Sequence, residues 1–167
     1  MKNKRGISNS RIAGVVFCTL TVLFGFCGQA LAEGSGLGLG IILGEPTGVS
    51  SKLWLSGAVA VDAAAGWAFL NRHNNYNYIH LHGDILHHYF LPVPAGELPL
   101  YYGIGARVRL ASDEEKVRLG VRVPVGLEYL FEPVPLGCFF ELVPLLDLIP
   151  ETQFGVNGGL GIRYYFR

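Results

Sequence analysis

Apolar and polar or small residues alternate along most of the chain beyond Gly36. The clearest run is 117–131. Val117, Leu119, Val121, Val123, Val125, Leu127, Tyr129 and Phe131 fall on one face, and Arg118, Gly120, Arg122, Pro124, Gly126 and Glu128 on the other. A period of two belongs to a strand, whose successive side chains point to opposite faces. Segments 100–110 and 157–166 repeat the pattern, the latter with Leu160, Ile162, Tyr164 and Phe166 against Gly159, Gly161, Arg163 and Tyr165. Glycine, proline and β-branched residues break every candidate helix of the same region. Eight strands are predicted: 36–43, 48–55, 59–69, 77–90, 100–110, 117–131, 138–147 and 157–166. Their connections are short and rich in turn formers, as in Glu45-Pro46-Thr47-Gly48, Asn71-Arg72-His73-Asn74-Asn75 and Ala111-Ser112-Asp113-Glu114-Glu115-Lys116. Short turns make sequential strands antiparallel neighbours, an up-and-down meander.

The chemistry of the two faces decides which side is wet. Lys52, Arg107, Arg109, Arg118, Arg122 and Arg163 share the small or polar parity with Asp62, Asp84, Glu128, Glu141 and Asp147. The opposite face is almost purely aliphatic and aromatic. Glycine recurs beside the charges, where it only weakens the wet face of a soluble strand. Inside a narrow closed barrel it makes room for large neighbours. The inverted arrangement therefore fits: apolar side chains toward lipid, polar ones toward the lumen. A sheet in lipid must close, because water cannot satisfy its edges. Aromatic residues near segment ends (Tyr89, Phe90, Tyr101, Tyr102, Tyr129, Phe131, Tyr164, Tyr165 and Phe166) are placed as interfacial girdles.

Composition agrees with a membrane setting. Of 167 residues, 50% are hydrophobic and 16% charged, with a mean hydropathy of +0.36; ordinary soluble domains carry about 25% charged residues. The N-terminus has Lys2, Lys4, Arg5 and Arg11, an apolar run over 12–26, and the small-x-small site Ala30-Leu31-Ala32. That order predicts a cleaved secretory signal over 1–32, leaving a barrel domain over 33–167. Removing the four basic residues of the signal leaves nine against thirteen acids, a net of −4, which gives no electrostatic footprint for nucleic acid. Cys138 remains as the lone cysteine of the mature chain, so no intrachain disulfide and no cysteine metal site is expected.

With these residues in place, the mature chain resembles a family of small bacterial outer-membrane β-barrel proteins of unknown function, similar in architecture to the eight-stranded OmpA/OmpX-type barrels. The resemblance rests on GIILGEPTG (40–48), LPLYYGIGARVR (98–109), GVRVPVGLEYLF (120–131) and NGGLGIRYYF (157–166). It implies an all-β, eight-stranded antiparallel transmembrane barrel in the outer membrane. Its partners would be outer-membrane lipid and the barrel-assembly machinery. The resemblance brings no catalytic residues. A monomer is expected, with no cofactor and any extracellular ligand unknown. The short connections weigh against a large loop-borne receptor site.

The remaining candidate chemistry is sparse. Gly36–Gly44, reading GLGLGIILG, misses the dinucleotide fingerprint GxGxxG by one residue and is followed by a turn rather than a helix. It is read instead as the first strand, paired with the last at the seam of the barrel. His80, His82 and Asp84 share a strand face and can converge on a metal, but two histidines at i, i+2 are a weak signal. A polar lumen cluster pairing with arginines is the better reading, and no metal site is expected. His87 and His88 read as interfacial. Ser50, with His80 or His82, is the nearest approach to a nucleophile and base, but no GxSxG elbow exists. The expected role is structural or interaction-based, without catalysis. A lipid-modifying enzyme and a soluble lipocalin-like carrier are the alternatives. The residues expected to matter form a lumen charge network: Lys52, Asp62, Asp84, Arg107, Arg109, Arg118, Arg122, Glu128, Glu141 and Arg163.

Overall fold

A computed structural model describes residues 36–68, 78–111 and 117–166. The predicted signal over 1–32, the turn over 71–75 and most of the turn over 111–116 lie outside the described residues. The described chain is all strand and turn: β1 (Leu37–Gly44), β2 (Gly48–Trp54), β3 (Val59–Ala68), β4 (Tyr78–Leu91), β5 (Leu98–Ala111), β6 (Val117–Arg122), β7 (Val125–Leu130), β8 (Leu136–Ile149) and β9 (Gln153–Phe166). Every pairing is antiparallel, and β1 to β6 and β8 to β9 pair in chain order. β6 and β7 lie end to end between β5 and β8, so nine segments make a ring of eight.

The ring closes where β1 pairs with β9, from Leu37 opposite Phe166 to Gly44 opposite Gly159. The glycine-rich opening segment is therefore the seam, as its alternation implied. Closure leaves neither strand with a free edge, the general liability of open sheets.

Two departures from the sequence expectation have local causes. The strand expected over 117–131 is interrupted at Val123-Pro124, because proline has no N–H to offer a ladder. Alternation nevertheless runs straight through, with Pro124 facing inward and Val123 outward. The gap stays bonded through Val123 N–H to Pro144 O and Gly103 N–H to Pro124 O, both 2.9 Å. The last two strands are longer than expected, spanning 136–149 and 153–166. Their added ends (Leu148, Ile149, Phe154, Val156) carry exposed apolar side chains, which extend the outer face rather than a core. β4, β5, β8 and β9 each reach 14 residues, while β1 and β2 have 8 and 7. In the turn between β4 and β5, Gly96 takes φ +65°, a left-handed conformation open to glycine at no steric cost.

The interior is not a conventional hydrophobic core. Its apolar part is the cluster of Ile42, Ala64 and Phe139, with Leu86, Val143 and Leu145 also buried. The outer face carries Leu39, Ile41, Leu43, Val49, Ile79, Ile85, Ile104, Val125, Phe140, Leu142, Leu160 and Ile162, all exposed. Leu37, at the start of β1, is buried although it shares the parity of Leu39, Ile41 and Leu43.

Phe139 on β8 reaches Ile42 on β1 over Gly161 of the intervening β9, in register with both. A Cβ at Gly161 would stand well inside van der Waals contact with the Phe139 ring and 2.5 Å from the Ile41 carbonyl oxygen. Gly161→Val is therefore expected to lower the unfolding free energy by about 1–3 kcal/mol, as overpacking does. Gly57→Val, at a turn where an added Cβ meets nothing within 4 Å, should change it by no more than about 0.5 kcal/mol. Urea unfolding followed by tryptophan fluorescence measures both.

Candidate functional site

The interior charges come from all around the ring and meet by reaching over glycines. On β5, Arg107 is in register with Gly120 of β6, which is in register with Asp147 of β8. Arg107 passes over that glycine and donates to Asp147 from Nε to Oδ1 (2.9 Å) and from Nη2 to both oxygens (2.7 Å each). The same construction recurs three times. Arg122 Nε lies 3.0 Å from Asp84 Oδ2 across Gly105. Tyr101 Oη donates to Glu141 Oε2 across Gly126, at 3.3 Å. Arg163 Nε donates to Ser50 Oγ across Gly40, at 2.9 Å. A Cβ at Gly105, Gly120 or Gly126 would collide with the side chain passing over it.

A second set links these pairs at the end of the ring that carries β1's start and β9's end. Lys52 Nζ donates to Glu128 Oε2 at 2.5 Å, and both side chains are wholly buried. Tyr165 Oη donates to Glu128 Oε1 at 2.5 Å, and Arg163 Nη1 lies 3.7 Å from that same oxygen. Arg163 Nη2 also donates to Asp62 Oδ2 at 3.2 Å, and Arg122 Nη2 to Glu141 Oε1 at 3.2 Å. Lys52 Nζ sits over the rings of Trp54 and Tyr101, at 4.8 and 4.9 Å. The Arg163 guanidinium stacks on Phe139 at 3.8 Å. Aromatic faces of this kind stabilise a cation that has left water.

Of the ten residues singled out by sequence, eight are buried together: Lys52, Asp62, Asp84, Arg107, Arg122, Glu128, Glu141 and Arg163. Arg109 is half-buried. Arg118 stands toward the opposite rim with a side chain 41% exposed, 3.8 Å from Asp147 and donating to Gln153 Oε1 at 3.2 Å. Sequence reasoning had Asp147 on the right face without singling it out, although it carries the bidentate partner of Arg107. Tyr101 and Tyr165 are corrected from the girdle to the interior. Their parity already matched the arginines, and end position was given more weight than parity. His88 is likewise not interfacial: it is buried, its ring 4.3 Å from that of Trp54 and 5.5 Å from Tyr101. His87 is exposed. Ser50 takes its hydrogen bond from Arg163, not from a histidine, among the described residues. His80 and His82 bond each other, Nε2 to Nδ1 at 3.2 Å. The exposed aromatics Tyr89, Phe90, Tyr102, Phe131, Tyr164 and Phe166 lie toward the rim at the seam's chain termini, and Phe154 lies toward the opposite one.

No protein-family model matches the sequence, and no curated protein matches it. The fold is similar to that of the N-terminal β-barrel domain of Pseudomonas aeruginosa OprF. The two share 17% identity and a TM-score of 0.59, over 78% of this chain and 96% of that one. The likeness is one of fold, a closed β-barrel.

Arg122 is the hinge of the interior, 1% exposed and bridging Asp84 to Glu141. Arg122→Leu leaves both carboxylates short of their cation and is expected to cost about 3–5 kcal/mol in urea unfolding. Arg118→Leu, at an exposed pair, should cost no more than about 1 kcal/mol. Equal effects would show that burial does not set the difference.

Proposed function

We propose that the chain is an integral outer-membrane protein, a monomeric barrel with a side-chain-filled lumen and a structural or interaction role. One observation carries the reading: the ring is closed, its outer face is apolar and its charges are inside. A soluble barrel has the opposite distribution, since exposed aliphatic surface on that scale is an aggregation liability in water. In lipid the arrangement is the favourable one, with backbone groups satisfied between strands and side chains alternating apolar-out, polar-in. The exposed aromatics gathered at the rim of the seam's chain termini fit the interface between hydrocarbon and headgroups. Fold likeness to the OprF barrel domain supports the same setting. So does the signal-like N-terminus, which fits a chain exported from the cytoplasm.

The filled interior supports a barrel that does not conduct as a general porin. An eight-stranded ring has an interior just wide enough for its own side chains. Here Lys52, Arg107, Arg122 and Arg163 and their carboxylates occupy it. No described residue set supplies a nucleophile with its base, so a lipid-modifying reaction has no observation in its favour. A soluble carrier would need the apolar face turned inward.

The mature chain is expected to fractionate with outer membranes, to need detergent, and to show a heat-modifiable mobility shift on gels. A folded monomer that persists in plain buffer overturns the membrane reading. In planar bilayers the folded protein should give no sustained open-channel current. Steady conductance of a water-filled pore overturns the filled lumen while leaving the membrane setting intact.

A further inference from the structure

The buried charges around Arg122 and Arg163 do not balance. Lys52, Arg122 and Arg163 face Asp62, Asp84, Glu128 and Glu141. Three cations meet four carboxylates, while Arg107, with Arg118 at the rim, is engaged by Asp147. The surplus is localised by the register. Asp62 on β3 and Asp84 on β4 stand directly opposite each other, 3% and 2% exposed. Like charges placed opposite on one sheet face repel. Asp62 Oδ1 and Asp84 Oδ1 have no hydrogen-bond donor, and a buried carboxylate oxygen without a partner is strongly disfavoured.

His82 lies two residues before Asp84 on the same strand and face, also buried. His80 Nε2 holds His82 Nδ1 at 3.2 Å, which fixes the ring's orientation. Ligand atoms of Asp62, His82 and Asp84 all lie within 4.8 Å of one another.

We infer that Asp62, His82 and Asp84 bind one divalent transition-metal ion of zinc's class inside the barrel. Two carboxylate oxygens and an imidazole nitrogen make a three-ligand set that zinc completes with a water. Magnesium and calcium ask for near-complete oxygen shells, which the imidazole does not provide. In this site His82 Nδ1 donates to His80 Nε2 and leaves its own Nε2 for the metal, so that His80 orients the ring as an outer-shell partner does. A single proton held between the two carboxyls would also cancel the surplus of one charge, but it would leave His82 outside the set, which is the difference the variants below read. The site lies within the ring and does not depend on what surrounds the barrel.

The test is calorimetric titration of the full chain, folded in detergent, stripped with EDTA and titrated with zinc chloride. One equivalent should bind. His82→Gln and Asp84→Asn should each weaken binding by about 100-fold or more, beyond the 10–100-fold loss typical of outer-shell partners. His87→Gln, at the exposed neighbour, should leave binding unchanged. The heat-modifiable gel shift checks that each variant is folded, and His82→Gln decides if Asp84→Asn fails to fold. Zinc uptake that survives His82→Gln overturns the site, since the metal is then elsewhere. Folded wild-type protein that takes up no zinc overturns it too, and greater stability of Asp84→Asn would then identify a shared proton.

Discussion

A side chain on the inner face of an eight-stranded ring can meet a partner two strands away only if the strand between carries nothing at that level. That constraint organises this protein. Arg107 and Asp147, Arg122 and Asp84, Tyr101 and Glu141, and Arg163 and Ser50 each span one intervening strand over a glycine. Without Gly120, Gly105, Gly126 and Gly40, these groups would stay buried, their bonds would be lost and their desolvation would remain. Glycine weakens a strand by leaving it without a side chain to pack. Here that loss is offset by bonds the neighbouring strands could not otherwise make.

The same constraint explains why the interior is polar yet tightly filled. Burying charge is unfavourable unless every member is paired and hydrogen-bonded. The ring meets most of that condition by sharing: Glu128 serves Lys52, Tyr165 and Arg163, and Arg122 serves Asp84 and Glu141, while Asp62 Oδ1 and Asp84 Oδ1 are left without a donor. Aromatic faces from Trp54, Tyr101 and Phe139 shield the cations that result. The apolar residues this interior does not need are turned outward, so the outer face and the inner network follow from one alternation.

Much of this was legible in the sequence because a period of two is a strong, local signal. The strand parities of 117–131, 100–110 and 157–166 assign Arg107, Arg122, Glu128 and Arg163 to one side without knowledge of the fold. The seam followed from matching glycine patterns at the two ends of the sheet. What did not follow was long-range. Parity puts Arg107 and Asp147 on one face but not at one level, because the register of β6 on β8 shifts between Leu119 and Gly120. Tyr101, Tyr165 and His88 were misplaced because proximity to a strand end was taken to outweigh parity. The break at Pro124 was visible as a residue but not as an interruption, since its neighbours continue the alternation. The meeting of Asp62 with His82 and Asp84 depends on pairing between β3 and β4, which no short motif encodes.

The seam carries a kinetic consequence. β1 is among the first strands of the ring to be synthesised, and its second partner, β9, is the last. Until β9 exists, β1 presents an unpaired row of N–H and C=O groups, the kind of edge that recruits foreign strands. The contact that finishes the sheet is also its most non-local, and such contacts form slowly because the chain between them must be ordered first. Folding is thus a race between closure and the wrong partner, with the open edge as its vulnerable interval.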